Sequence, residues 1–182
     1  SEIKSFNTKK ISNTKYVKSN FKFLKKNKVS KSLFASVVPK TYQNFKKILN
    51  RVYKIKSNEI SENFLLPIKI NLKNKKNVGS DRLANAVAAF KKYKMNCIVV
   101  DFGTATTFDV VKKEGIYDGG IIVPGIDVSI KSIYNTTAKL PIIKLKKTKI
   151  VVGKNTKEAL VSGFFWGYSG IISNLIKKIE QS

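Results

Sequence analysis

The sequence has no histidine and a single cysteine in 182 residues. Without histidine, the commonest general base, the commonest zinc ligand and the usual serine- or cysteine-based triads are excluded. Any acid–base chemistry must rest on carboxylates, lysine, tyrosine or the lone thiol. Cys97 has no partner for an internal disulfide, which fits a reducing compartment. No signal-peptide pattern opens the chain and no apolar run reads as a membrane span. A soluble, cytoplasmic protein without a membrane partner is therefore the expectation. Apolar residues make up 42% of the chain, enough for a packed core.

Acidic residues are scarce as well: 11 stand against 36 basic ones, a net charge of +25. Such a charge raises the question of nucleic acid. Two observations argue against a specific one. Arg51 and Arg82 are the only arginines, whereas readers of phosphate and base edges usually add arginine forks. The lysines are also spread along the whole chain, mixed with asparagine and isoleucine, instead of forming one stripe.

Strand-like and helix-like segments alternate, so the class is α/β. Tyr16, Phe21 and Leu24 have helical spacing. Ser32–Val38 reads as a buried strand ended by Pro39. Thr41–Val52 reads as a helix with Phe45, Ile48, Leu49 and Val52 on one face. Val52–Ile55 and Ile68–Leu72 are weaker strand candidates, and Asn74–Asn77 is a polar loop. Asp81–Tyr93 predicts an amphipathic helix carrying Leu83, Val87 and Phe90. Cys97–Val100 is a buried strand, Phe108–Val111 a second, and Ile121–Val123 a third apolar stretch closed by Pro124-Gly125. Ile126–Tyr134 fits a helix and Ile150–Val152 a short strand. Asn155–Glu180 reads as one long helix, with Asn155 as N-cap and Glu158 placed as in a capping box.

Several segments have residue types suited to phosphate chemistry. Asp101-Phe102-Gly103-Thr104-Ala105-Thr106-Thr107 joins two strands. Its glycine and threonines offer N–H groups and hydroxyls to an anion, and its aspartate can hold a cation. An ordinary hairpin with threonines chosen for strand propensity explains the same residues. Gly79-Ser80-Asp81-Arg82 opens a helix. There Asp81 is either a cap or a general base, and Arg82 could grip a carboxylate through two parallel hydrogen bonds. Gly153-Lys154-Asn155-Thr156 heads the last helix; capping accounts for Asn155, while Thr156 could face a ligand. Gly119–Gly125 suits turns and close backbone approach. The aromatic stretch Phe164–Tyr168 fits a core or a subunit-contact face.

In order along the chain, these motifs resemble type III pantothenate kinase. The resemblance runs through Ala35-Ser-Val-Val-Pro39, Val78–Arg82 with Asn85 and Ala86, Asp101–Thr107, Gly119–Gly125, Ala138-Lys-Leu-Pro141 and Gly153–Thr156. It covers roughly residues 33–180. It implies an actin-like, duplicated ribonuclease-H-like α/β fold with its active site in a cleft between two halves. The halves would be 1–95, ending in the interdomain helix, and 96–182. Asp81 matches the proton acceptor for the pantothenate hydroxyl, and Gly79, Ser80 and Arg82 complete that substrate-binding segment. Asp101 matches the ligand of a monovalent cation, potassium or ammonium. Thr104 matches an ATP phosphate contact, and Thr156 a pantothenate contact. The implied reaction uses ATP with magnesium and yields 4'-phosphopantothenate for coenzyme A synthesis; the implied assembly is a homodimer.

Two features depart from the family pattern. Members normally open with a strand and an Asp-x-Gly-Asn-Thr phosphate loop. Here the nearest string, Ile11-Ser-Asn-Thr14, lacks both Asp and Gly, so the N-terminal half is expected to be incomplete in this sequence. A substrate-contacting tyrosine common in the family is replaced by Leu72. The missing loop also leaves open a different class of protein, a non-catalytic relative with a regulatory or accessory role.

Overall fold

The computed structural model describes residues 3–36, 38–61 and 65–182. It is a mixed α/β fold that divides into two compact units. One comprises residues 1–95 and 111–118, the other 96–110 and 119–182.

The first unit begins with two short helices, α1 (Thr14–Asn20) and α2 (Phe23–Lys26). A parallel β–α–β element follows: β1 (Lys31–Phe34), α3 (Pro39–Tyr53) and β2 (Lys56–Glu59), with Lys31 opposite Lys56. Pro39 opens α3 because its fixed φ suits the first helical turn. Tyr42, Phe45, Ile48 and Leu49 are the buried residues of α3. Val17, Phe21, Phe45, Ile48, Leu49 and Ile55 form one core cluster, with Phe6, Phe23 and Phe34 packed against it. The strand expected at Val52–Ile55 is instead the end of α3; Lys54 takes a left-handed conformation, φ 58°, and the strand starts at Lys56. The strand expected over Ser32–Val38 is confined to its first half, and Val37 lies outside the described residues. The polar loop at Asn74–Asn77 tightens into a 3₁₀ turn, Lys75–Asn77, capped by the Asn74 side chain.

The helix expected from Asp81 is α4 (Ser80–Tyr93). Its buried residues are Ser80, Leu83, Ala86 and Ala89. Two alanines carry much of the buried stripe, where Val87 and Phe90 were expected to. Gly115 stands with φ 75° over the Phe90 ring, whose Cζ would be 2.9 Å from a Cβ at residue 115.

The strand order of the main sheet is β3-β6-β5-β4, built from β3 (Lys69–Ile70), β4 (Cys97–Phe102), β5 (Ala105–Lys112) and β6 (Ile116–Pro124). In the first unit, β3 pairs in parallel with the start of β6. In the second, β4, β5 and the rest of β6 follow one another through very short connections, which permit only antiparallel pairing. As an edge strand, β4 is half-buried over Cys97–Val100, where full burial was expected. The second unit ends with α5 (Ile126–Thr136) and α6 (Thr156–Glu180). Ile130, Ile143, Val161 and Phe164 form its core cluster. Ile150–Val152 is not a strand: Trp166 Nε1 donates to the Ile150 carbonyl at 3.1 Å and Ser162 Oγ to that of Val151 at 2.5 Å. The segment is thus held on α6 by side chains instead of a ladder.

By length and composition α6 is apolar enough to cross a membrane, contrary to the sequence expectation, and only 17% of its most apolar window is buried within the chain. Interspersed glycines and serines disguise this run in the sequence.

Candidate functional site

In the first unit, the site residues gather at the head of α4. Gly79 caps the helix with no side-chain bond. The first turn has backbone N–H groups without intrahelical partners. Asp81 satisfies one of them: its Oδ1 accepts from the Arg82 N–H at 2.8 Å. That bond draws the carboxylate back over Gly79, where a Cβ would stand 2.5 Å from Oδ1. Asp81 is nevertheless exposed. Its charge is oriented by the backbone, favoured by the helix dipole and open to a ligand.

Arg82 is half-buried, its guanidinium 5.9 Å from the centroid of the fully buried Tyr117 ring. An aromatic face at this distance restrains the guanidinium plane. Ser80 turns inward: its hydroxyl accepts from the Ser36 N–H at 2.6 Å and donates to the Ser36 carbonyl at 3.0 Å. The Ala35–Pro39 motif therefore has a physical purpose, since Ser36 anchors the head of α4 through Ser80. Nearby, Asp118 accepts from Asn71 Nδ2 at 2.6 Å and pairs with Lys112 at 2.7 Å. The hydrogen bonds from Lys112 and Asn71 hold the Asp118 carboxyl below the usual carboxylate range, and Asp118 in turn raises the Lys112 ammonium.

In the second unit, β4 ends at Asp101-Phe102 and the chain reverses through Gly103-Thr104. Residues 101–104 are all exposed. Gly103 N donates to the Ala105 carbonyl and Gly125 N to the Thr104 carbonyl, each at 3.0 Å. Gly125 presses so closely on this turn that a Cβ would overlap the Gly103 carbonyl oxygen and lie 2.5 Å from that of Thr104. Only glycine fits there, which accounts for the Pro124-Gly125 motif. Behind the turn, Thr106 is 1% exposed and its hydroxyl has no hydrogen-bond partner among the described residues. Asp109, fully buried, accepts from Thr107 Oγ1 at 3.3 Å. Sequence reasoning passed over Asp109; an acid within an apolar strand was the available signal.

At the head of α6, Asn155 Oδ1 accepts from Glu158 N, and Glu158 Oε2 from Lys154 N, both at 3.0 Å. The capping box thus closes one residue earlier than its usual form. Gly153 packs against the backbone of Ala159, leaving no room for a side chain. Thr156 is exposed at the edge of an apolar groove of about 520 Å³, which is also lined by Ile133, Leu140, Leu160, Phe164 and Tyr168.

Among the described residues, no three His, Cys, Asp or Glu side chains come together as a metal site. Asp101, a single exposed carboxylate at a strand end, offers one hard oxygen ligand.

The chain is thus an α/β protein with exposed polar turns at helix heads and a strand end. A profile described as type III pantothenate kinase matches residues 3–178. The type III pantothenate kinase of Pelagibacter ubique is 45% identical over 178 residues, covering 96% of this chain and 70% of that protein. That of Persephonella marina is 45% identical over 160 residues, covering 86% and 61%. A type III pantothenate kinase from a Sulfurihydrogenibium species is 39% identical over 162 residues, covering 89% and 64%. A solved Campylobacter jejuni structure, assigned in its description to the Baf family of transcriptional activators, superposes with TM-score 0.53. It is 25% identical and is matched over 80% of this chain and 64% of its own. The chain belongs to the type III pantothenate kinase family, a family of kinases. It spans 61–70% of the length of the three curated relatives described.

Proposed function

We propose that the whole protein transfers the γ-phosphoryl group of ATP to the hydroxyl of pantothenate, forming 4'-phosphopantothenate and ADP at the first step of coenzyme A synthesis. The observation that carries this reading is the exposed Asp81 carboxylate, held over a side-chain-free Gly79 by the Arg82 N–H. Asp81 accepts the hydroxyl proton as the substrate oxygen attacks the γ-phosphorus. A loose phosphoryl-transfer transition state asks mainly that this carboxylate be well positioned. Arg82, restrained by Tyr117, takes the pantothenate carboxylate, and Gly79 and Ser80 shape that segment. Thr156 adds a contact from the head of α6.

Thr104 and the turn around it take the ATP phosphates. Asp101 would hold a monovalent cation, potassium or ammonium, and with the magnesium of the nucleotide that cation would offset phosphate charge. The fold reading is the actin-like, duplicated ribonuclease-H-like one, with halves at 1–95 and 96–182. The α6 surface supports a homodimer: Gly163, Gly167 and Gly170 have nothing within 4 Å of where a Cβ would be, and Trp166 and Ile171 are exposed. The lone Cys97 supports work in the cytoplasm.

Calorimetry on the full-length gene product tests the nucleotide side. ATP binding that Thr104→Ala abolishes is the expected result. No ATP binding at all would favour the non-catalytic, accessory reading.

A further inference from the structure

Tyr168 lies in the middle of α6, beyond Thr156 along the apolar groove that both residues line, and packs its ring 6.2 Å from that of Phe164. Its hydroxyl does more than fill the core edge. Oη donates to the Pro124 carbonyl at 3.1 Å and lies 2.7 Å from Ser129 Oγ. A phenol has one proton; once that goes to Pro124, Ser129 must be the donor in the second bond. Tyr168 therefore clamps both sides of the β6–α5 junction, Pro124 before Gly125 and Ser129 in the first turn of α5. Gly125 is the residue wedged against the Gly103-Thr104 turn and bonded to the Thr104 carbonyl at 3.0 Å. The wedge cannot shift without moving that turn, because the atoms it touches are backbone.

We infer that Tyr168 is a positioning residue for the nucleotide: through Pro124 and Gly125 it sets the Gly103-Thr104 turn in the form that receives phosphate. This rests on the reading of Thr104 as an ATP contact. The head of α6 is fixed independently of Tyr168, by Asn155 and Glu158 and by the Ser162 and Trp166 bonds to Val151 and Ile150. Loss of the phenol hydroxyl should therefore loosen the nucleotide turn and leave Thr156 in place.

The test is steady-state kinetics on full-length Tyr168→Phe, with thermal melting as a check on folding. The expected result is a rise in KM for ATP of about fivefold, the equivalent of one ordinary hydrogen bond, with KM for pantothenate within about twofold of the parent. Ser129→Ala, which removes the donor to Tyr168 but spares the Pro124 bond, should shift KM for ATP in the same direction and by less. It provides the same readout if Tyr168→Phe folds poorly. A Tyr168→Phe protein with both KM values unchanged, or with both raised equally, overturns the inference. Thr104→Ala separates the two levels. If it raises KM for ATP while Tyr168→Phe and Ser129→Ala do not, the clamp alone is wrong; if it leaves KM for ATP unchanged, the nucleotide reading and the clamp fail together.

Discussion

Replacing Gly79 by alanine puts one methyl group where the Asp81 carboxylate now lies. The new Cβ would be 2.5 Å from Oδ1, a separation that non-bonded atoms do not tolerate, so something must yield. What yields is the end of a flexible side chain. Residue 79 has φ −59° and ψ 140°, values alanine adopts freely, so the backbone itself is not strained. Asp81 must swing away by roughly 1 Å to restore van der Waals contact, and it then loses its bond to the Arg82 N–H. Two effects of very different size follow. Stability falls by about 0.5–1 kcal/mol, because alanine is a poorer N-cap than glycine and one orphan donor returns to water. For a chain of this length that lowers Tm by only about 1–4 °C. Activity falls far more, since misplacing a reacting group by about 1 Å costs on the order of 10²-fold. The assay is kcat for ATP-dependent pantothenate phosphorylation by the full-length protein, with a thermal melt on the same sample. A folded Gly79→Ala protein that retains the parent kcat would refute the claim that Asp81 acts from the orientation described.

Other outcomes follow from neighbouring contacts. Ser80→Ala leaves the half-buried N–H and carbonyl of Ser36 without their partner and should cost about 1 kcal/mol in denaturant unfolding, and kcat should fall as the head of α4 that carries Asp81 loosens. Lys94→Gly relieves a non-glycine residue held at φ 50° at the end of α4, and should raise Tm by about 2–4 °C in a melting experiment. The depressed Asp118 carboxyl predicts acid sensitivity with a definite sign: its contribution is present above the unfolded carboxylate range near about pH 4 and is lost as pH falls through its lower folded value. Melting curves of Asp118→Asn and the parent should therefore differ at pH 7 and converge in strong acid; a constant difference contradicts the assignment.

Much of this architecture was legible in the residues. The amphipathic run from Asp81, the caps at Asn155 and Glu158 and the turn at Gly103-Thr104 are set by local periodicity and capping, which depend on near neighbours. What the sequence hid depends on packing at a distance. Lys54 ends α3 in a left-handed conformation where glycine is the usual signal, so no residue type there marks that the strand begins only at Lys56. Ile150–Val152 has strand propensity, but Ser162 and Trp166 take its carbonyls before any ladder can form. Ser80 reads as part of a binding motif, and only its contact with Ser36 reveals how much of its hydroxyl is committed internally. The close fit of Gly125 on the Thr104 turn, and the hold of Tyr168 on Pro124, join residues whose separation in sequence gives no hint of contact.

The most direct test of the central claim is turnover. Full-length protein assayed with ATP, magnesium, pantothenate and potassium should form 4'-phosphopantothenate, and Asp81→Asn should lower kcat by about 10²–10⁴-fold while the protein stays folded. Turnover that is absent in the parent, or equal in the parent and in Asp81→Asn, would contradict the account.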